Sequence, residues 1–351
     1  MQTVLKASAH DVRYFATLLR GVHVVDRATI IVTPLGITVT TEEARNLLAT
    51  AIIFPSVFDE FEFNAPEGVP KKDIEDDTSS DAEEDETEPS VTFEVGLPLF
   101  LDVLGIYGSA GTSAAAMNKP RWKKVGGAEG SEDENEGAKA QPFGGASGSS
   151  EKRTGMRLSY AGAGHPLTLI VAEDAAGPST TVELSTYEAE PHLDVSFDTN
   201  SAVLKIILKS QWLRDALSEV DTSCEKLTFI GNPPLSGEGS HPRRGKAQSR
   251  PMFRIQASGT FGSTEMDYPN DRDVLESFEC LQTVRFSYRF AHILRVMRAL
   301  QSSAKASLRI NDEGVLSLQF LMPAPSSRPG RKGDGTDAFI EFRCLALNED
   351  C

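Results

Sequence analysis

The strongest constraint on this chain is an order of elements that it uses twice. Read by hydrophobic period along 351 residues, a strand at 3–7 is followed by a helix at 10–20 and strands at 27–33, 36–40, 46–54 and 57–63. A helix at 97–106 and strands at 156–160, 167–172 and 180–187 complete the first pass. The second pass gives a strand at 202–208, a helix at 211–220 and strands at 226–231, 252–258, 263–268 and 274–286. A helix at 288–302 and strands at 306–310, 315–322 and 338–347 complete it. The span repeats as well. His10 and Leu97 are 87 residues apart, 60 without the 27 of an acidic insertion. Gln211 and Arg289 are 78 apart, 59 without the 19 of a proline-rich loop. Identity between the halves is weak, but shared order and span together predict two α+β domains of similar topology. Their bounds are 1–187 and 201–351, joined by a connector at 188–200.

The insertions explain the charge. The chain has 51 Asp and Glu against 35 Lys and Arg, a formal −16. Ten of the acids lie in 73–88 and five in 129–136, and without those fifteen the count is 36 against 35. The acidity therefore belongs to insertions near 64–90 and 108–155, which lack a sustained period and are expected to be disordered. The remainder is nearly neutral and can carry a local basic surface. No apolar run approaches membrane-spanning length, and the N-terminus reads as no signal peptide, so a soluble intracellular protein without membrane association is expected. Cys224, Cys280, Cys344 and Cys351 follow no CxxC or disulfide-framework spacing and read as buried or free thiols.

Three of the predicted helices have a hydrophobic face and a polar one. At 10–20, Val12, Phe15, Ala16 and Leu19 oppose His10, Arg13, Thr17 and Arg20, with Ser8 as the expected N-cap and Asp11 three residues on. At 211–220, Trp212, Leu213, Ala216, Leu217 and Val220 oppose Gln211, Arg214, Asp215 and Ser218. At 288–302, Phe290, Ile293, Leu294, Val296, Met297 and Leu300 oppose Arg289, His292, Arg295 and Arg298. The helix at 97–106 has Asp102 as its only charge. Exposed arginines decorate most helices. Their recurrence on corresponding faces points to a common phosphate-facing surface, sequence-independent and salt-sensitive.

Catalytic motifs are sparse. The stretch 239–247 (GSHPRRGKA) resembles a phosphate loop but has one residue too many and Ala247 where Ser or Thr must meet the metal. Gly162 and Gly164 lack the third glycine of a dinucleotide fingerprint. There is no GxSxG or HExxH, and the histidines have no ligand spacing, so no metal and no cofactor is expected. Asp59, Glu60 and Glu62 are the one carboxylate group that suggests metal-dependent nuclease chemistry. Two-metal sites draw acids from separate elements, whereas these alternate with Phe58, Phe61 and Phe63 as a strand edge does. Ser79, Ser80 and Ser131 stand in acidic contexts suited to an acidophilic kinase.

The blocks FRIQASGTFGSTEMDYP (253–269), FSYRFAHILRVMRALQSSAKASLRINDEGVLSLQF (286–320) and FIEFRCLAL (339–347) resemble the Rad-one/Rec-one checkpoint protein family. The run ATIIVTPLGITVTTEEARNLLATAIIFPSVFDEFEF (28–63) is similar to it too. The resemblance covers most of the chain outside the insertions and implies the sliding-clamp (DNA clamp) fold, two domains each with two helices packed on antiparallel sheets. It implies a non-catalytic subunit of the heterotrimeric nine-one-one ring, nuclear, and acting in DNA-damage checkpoint signalling and repair. Arg13, Arg20, Arg214, Arg289, His292, Arg295 and Arg298 would face double-stranded DNA. Edge strands carrying Thr180, Val182 and Leu184, and Ser263, Glu265 and Asp267, would meet two other clamp-like subunits. The connector at 188–200 would dock partners, and an ATP-driven clamp loader would place the ring on DNA. A 3′–5′ exonuclease activity attributed to family members is the alternative.

Overall fold

The structure is a computed structural model that describes residues 3–65, 89–107, 153–173, 177–193, 195–234, 251–269, 271–324 and 337–347. The first half runs β1 (Leu5–Ala9), α1 (Val12–Gly21), β2 (Arg27–Thr33), β3 (Gly36–Glu43), β4 (Leu47–Ile53), β5 (Glu60–Phe63), β6 (Val91–Gly96), α2 (Leu97–Leu104), β7 (Gly155–Tyr160), β8 (Leu167–Ala172) and β9 (Ser179–Leu184). After the short β10 (Thr186–Tyr187), the second half runs β11 (Ala202–Lys209), α3 (Ser210–Glu219), β12 (Cys224–Gly231), β13 (Phe253–Gly259), β14 (Gly262–Tyr268), β15 (Leu275–Cys280) and β16 (Val284–Arg289). It ends with α4 (Phe290–Leu294), α5 (Met297–Ser302), β17 (Lys305–Asn311), β18 (Leu316–Met322) and β19 (Ala338–Cys344).

The repeat extends to strand pairing. A five-stranded sheet is ordered β5-β1-β7-β8-β9 and a four-stranded one β14-β13-β12-β16. The ten-stranded sheet, β10-β6-β2-β3-β4-β19-β18-β17-β11-β15, contains the counterpart of each. Its β15-β11-β17-β18-β19 run repeats the five-stranded order, and its β6-β2-β3-β4 run repeats the four-stranded one. The two halves join where β4 pairs antiparallel with β19, Ile52 opposite Phe339 and Leu47 opposite Cys344.

Alternation fixes which side chains go inside. On β19, Ile340, Phe342 and Cys344 are buried beneath the helices. Phe15 packs against Phe58 and Phe100 at 5.7 and 5.9 Å in the first half. Phe229 packs against Phe253 and Tyr288 at 6.0 and 5.7 Å in the second. Gly21 lets α1 lie directly on β19, since a Cβ there would run into Ile340.

Four local expectations are corrected. The helix expected at 288–302 starts at Phe290, because Tyr288 and Arg289 continue β16 opposite Leu227 and Lys226. It also breaks at Arg295 and Val296, whose N–H groups donate to His292 and Ile293, three residues back. Ser8 does not cap α1. It stays in β1 opposite Glu60 and Arg157, and the Asp11 carboxylate accepts the capping bond from Arg13 N. The strand expected at 274–286 is two, divided at Leu281–Thr283. The strand β6 at Val91–Gly96 is an element that the expected order lacks. The insertions, the proline-rich loop, Ser79, Ser80, Ser131 and Cys351 lie wholly or largely outside the described residues.

Candidate nucleic-acid interface

Four helices form a layer on one face of the ten-stranded sheet, while α4 packs on β12 and β16 of the four-stranded one. α2 lies against β6 and β9, α1 against β4 and β19, α5 against β18, and α3 against β11 and β17. α1 touches both α2 and α5, and α5 touches α3, so the lateral order is α2, α1, α5, α3. α1, α3 and α5 put their apolar stripes on the sheet and their polar stripes away from it, whereas α2 turns Leu99 and Asp102 outward.

On this layer most arginines are already engaged. Arg13 grips Asp11, its Nη2 donating to Oδ2 at 2.7 Å and its Nε to Oδ1 at 3.0 Å. Burial raises the Asp11 pKa, but the hydrogen bonds and charge of Arg13 outweigh it and hold the carboxyl below its ordinary value. Arg214 Nε and Nη2 each donate to Asp215 Oδ1 at 3.3 Å. Arg295 forms a two-pronged pair with Glu43 at 2.6 and 3.0 Å, from the α4–α5 break to the end of β3. That pair ties the second half to the first. Arg298 Nη1 donates to the His23 carbonyl at 3.1 Å, joining α5 to the segment after α1, and among the described residues no carboxylate pairs with it. Burial and then the nearby Arg298 charge push the His23 imidazole pKa down. Arg20 is half-buried on the last turn of α1. Burial lowers its pKa, but a guanidinium remains charged at neutral pH.

Two residues expected on this face are elsewhere. His292 is only 7% exposed, and burial lowers its pKa, so it does not join the exposed arginines. It sits beside the helix break, near the charges of Glu43, Arg289 and Arg295. Arg289 is exposed, but on β16, where it shares the outer side of the four-stranded sheet with Arg285 and the cross-strand Lys226.

The carboxylates at 59–62 face bases and hydroxyls across β1. Asp59 accepts from His10 N at 2.6 Å and contacts its ring Nδ1 at 2.9 Å. Glu60 accepts from Ser8 Oγ at 3.3 Å, and Glu62 lies 3.5 Å from Lys6 Nζ. Among the described residues no three His, Cys, Asp or Glu gather as metal ligands. No described helix is long and apolar enough to cross a membrane.

Thr180, Val182 and Leu184 lie on β9, the outermost strand of the five-stranded sheet, and Ser263, Glu265 and Asp267 on β14, the outermost of the four-stranded one. Leu184 is buried, so its backbone and not its side chain is available at that edge. Glu265 and Asp267 are both held by Arg254, at 2.6 Å each. The segment after β10 crosses the sheet face opposite the helices. Glu94 accepts from Glu190 N at 2.9 Å, Glu42 from Leu193 N at 2.7 Å, and Arg343 donates to Val195 O at 2.9 Å. Sequence reasoning missed Glu43 and these connector anchors. Their partners are far away in the chain, and only the alternation of β3, β6 and β19 hinted that a charge would face outward.

A family model described as "Repair protein Rad1/Rec1/Rad17" matches residues 4–322. The chain is 30% identical to the cell cycle checkpoint protein RAD1 of Homo sapiens, over 99% of this chain and 93% of that protein. It is 29% identical to the DNA repair exonuclease REC1 of Mycosarcoma maydis, over 98% of this chain and 96% of that one. Proliferating Cellular Nuclear Antigen from Entamoeba histolytica superposes with a TM-score of 0.61 at 12% identity, covering 99% of this chain and all of the other.

Proposed function

The chain belongs to the Rad1/Rec1/Rad17 repair-protein family and has the sliding-clamp fold, and on that premise we propose that it is one non-catalytic subunit of a heterotrimeric ring that encircles DNA. A role as a clamp subunit in checkpoint control and repair follows from its relatives. The observation that carries the ring is the unfinished repeat. Inside the chain, β4 of the first half pairs with β19 of the second. Their counterparts, β14 and β9, sit at opposite ends as outermost strands. A neighbour that continues the pattern at both ends generates a closed arrangement, with the helix layer facing inward. The division into 1–187, a connector at 188–200 and 201–351 belongs to the same reading, as does a nuclear location.

In such a ring Arg13, Arg20, Arg214, Arg295 and Arg298 face the duplex, and contact with phosphates makes binding independent of sequence. The ring needs an ATP-driven loader to open it. Three serines, Ser79, Ser80 and Ser131, are proposed phosphorylation sites.

One relative is named an exonuclease, which keeps a second reading alive. It would use Asp59, Glu60 and Glu62. Their pairing with His10, Ser8 and Lys6 argues for a sheet-edge role, because metal ligands need their lone pairs pointed at one shared position.

The test is native mass spectrometry of the chain co-expressed with the two other clamp-like proteins of its own organism. A one-to-one-to-one complex is the expected result. A chain that joins neither protein, or digests 3′ ends in a manner lost in the Asp59→Ala, Glu60→Ala, Glu62→Ala triple variant, would overturn it.

A further inference from the structure

The internal junction shows what a partner meets at the β14 edge. Across the β4–β19 pair, one residue that spans the seam is Tyr14, the third residue of α1. Its hydroxyl donates to Met322 O at 2.7 Å and accepts from Ala338 N at 3.0 Å, reaching the end of β18 and the start of β19. The counterpart of α1 is α3, and its third residue is Trp212. Each stands directly before a fully buried residue, Phe15 or Leu213. Tyr14 is half-buried because its neighbour is present within the chain. Trp212 is 43% exposed, on α3, which lies on β11 and β17 and meets the outermost β14 through Tyr268. Its backbone carbonyl accepts from Tyr268 OH at 3.2 Å, which pins it to that strand.

We propose that Trp212 is the anchor by which the β14 edge binds a second, non-identical chain of the same fold, seated as β19 is seated on β4. This rests on the ring reading and names the residue and the partner type at one of its seams. An indole N–H is a donor only, so it meets the role in which Tyr14 donates to a strand-end carbonyl. The ring supplies apolar area against the partner strand, as aromatic anchors at interfaces do.

A second copy fits this edge poorly. Carrying the β4–β19 register over to β14 and an approaching β9 sets Thr181 opposite Glu265, with Glu183 one diagonal away. The outward row then holds Glu265, Asp267 and Glu183, and the one cation in it among the described residues, Arg254, is already bound to the first two. In the internal junction the same row is relieved by Arg343 opposite Leu48. Like charges along a cross-strand row destabilise pairing. The favoured occupant therefore presents an edge strand with a neutral or basic outer row.

The experiment measures binding of the full chain to each of the two clamp-like proteins of its organism, purified separately. Trp212→Ala should weaken one of them about 30-fold or more and leave the other unchanged. Glu265→Lys with Asp267→Lys should weaken the same partner and no other. Both variants should melt like the wild type, since these side chains are exposed. Wild-type affinity of Trp212→Ala for both partners overturns the anchor alone, and so does a wild-type homo-oligomer in which Trp212 is protected. If the wild type binds neither protein, the ring reading fails and this inference with it.

Discussion

Arg295 and Glu43 are 252 residues apart in sequence and 2.6 Å apart in the fold. That one contact shows what residue-level reading can and cannot reach. The positions of the arginines on the helices follow from period alone. Their electrostatic worth does not, because Asp11, Asp215 and Glu43 neutralise three of them and only the last of these comes from a distant element. This helix face is therefore less basic than the count of arginines suggests, and among the described residues Arg20 and Arg298 carry most of its uncompensated charge. In the assembled ring on duplex DNA, Arg20→Ala should reduce the slope of log K against log salt by about 0.9, one phosphate contact. Glu43→Gln frees Arg295 and should steepen the slope by up to about the same amount. Titration of binding between low and physiological salt reads both. Slopes unmoved by either substitution would take this helix face off the DNA.

At the scale of elements, strands and helices with clear periods lie nearly where the sequence places them, and each exception has a local cause. The residue types of Tyr288 and Arg289 suit either a strand or the start of the helix expected at 288–302. Pairing with β12 decides for strand. The turn at Leu281–Thr283 has no glycine or proline to announce it. The β2–β3 hairpin does, through Pro34 and Gly36. Gly36 has φ +137°, and a Cβ there would collide with the carbonyl of Ile53 on the neighbouring β4. Gly36→Ala should then cost about 1–3 kcal/mol, read as a lower denaturation midpoint at unchanged slope. A neutral result would mean that β4, which makes the seam with β19, can shift without loss.

For the whole molecule, the repeat was legible and its pairing was not. Matching spans between helices gave two similar halves, but nothing in the sequence says that β4 meets β19, so nothing in it could equate the internal seam with the two outermost strands. That equivalence needs strand order and register. Without it, Trp212 is one more apolar residue on an amphipathic helix. The family and the clamp fold are established; enclosure of DNA by a ring is the central claim that rests on them. The most direct measurement loads the assembled complex on closed circular plasmid, washes it at high salt, and then cuts the plasmid once. An encircling ring predicts retention on the circle and release from the linear product, since a topological link survives salt but slides off an end. Retention that salt abolishes on the circle, or that survives linearisation with free ends, would contradict it.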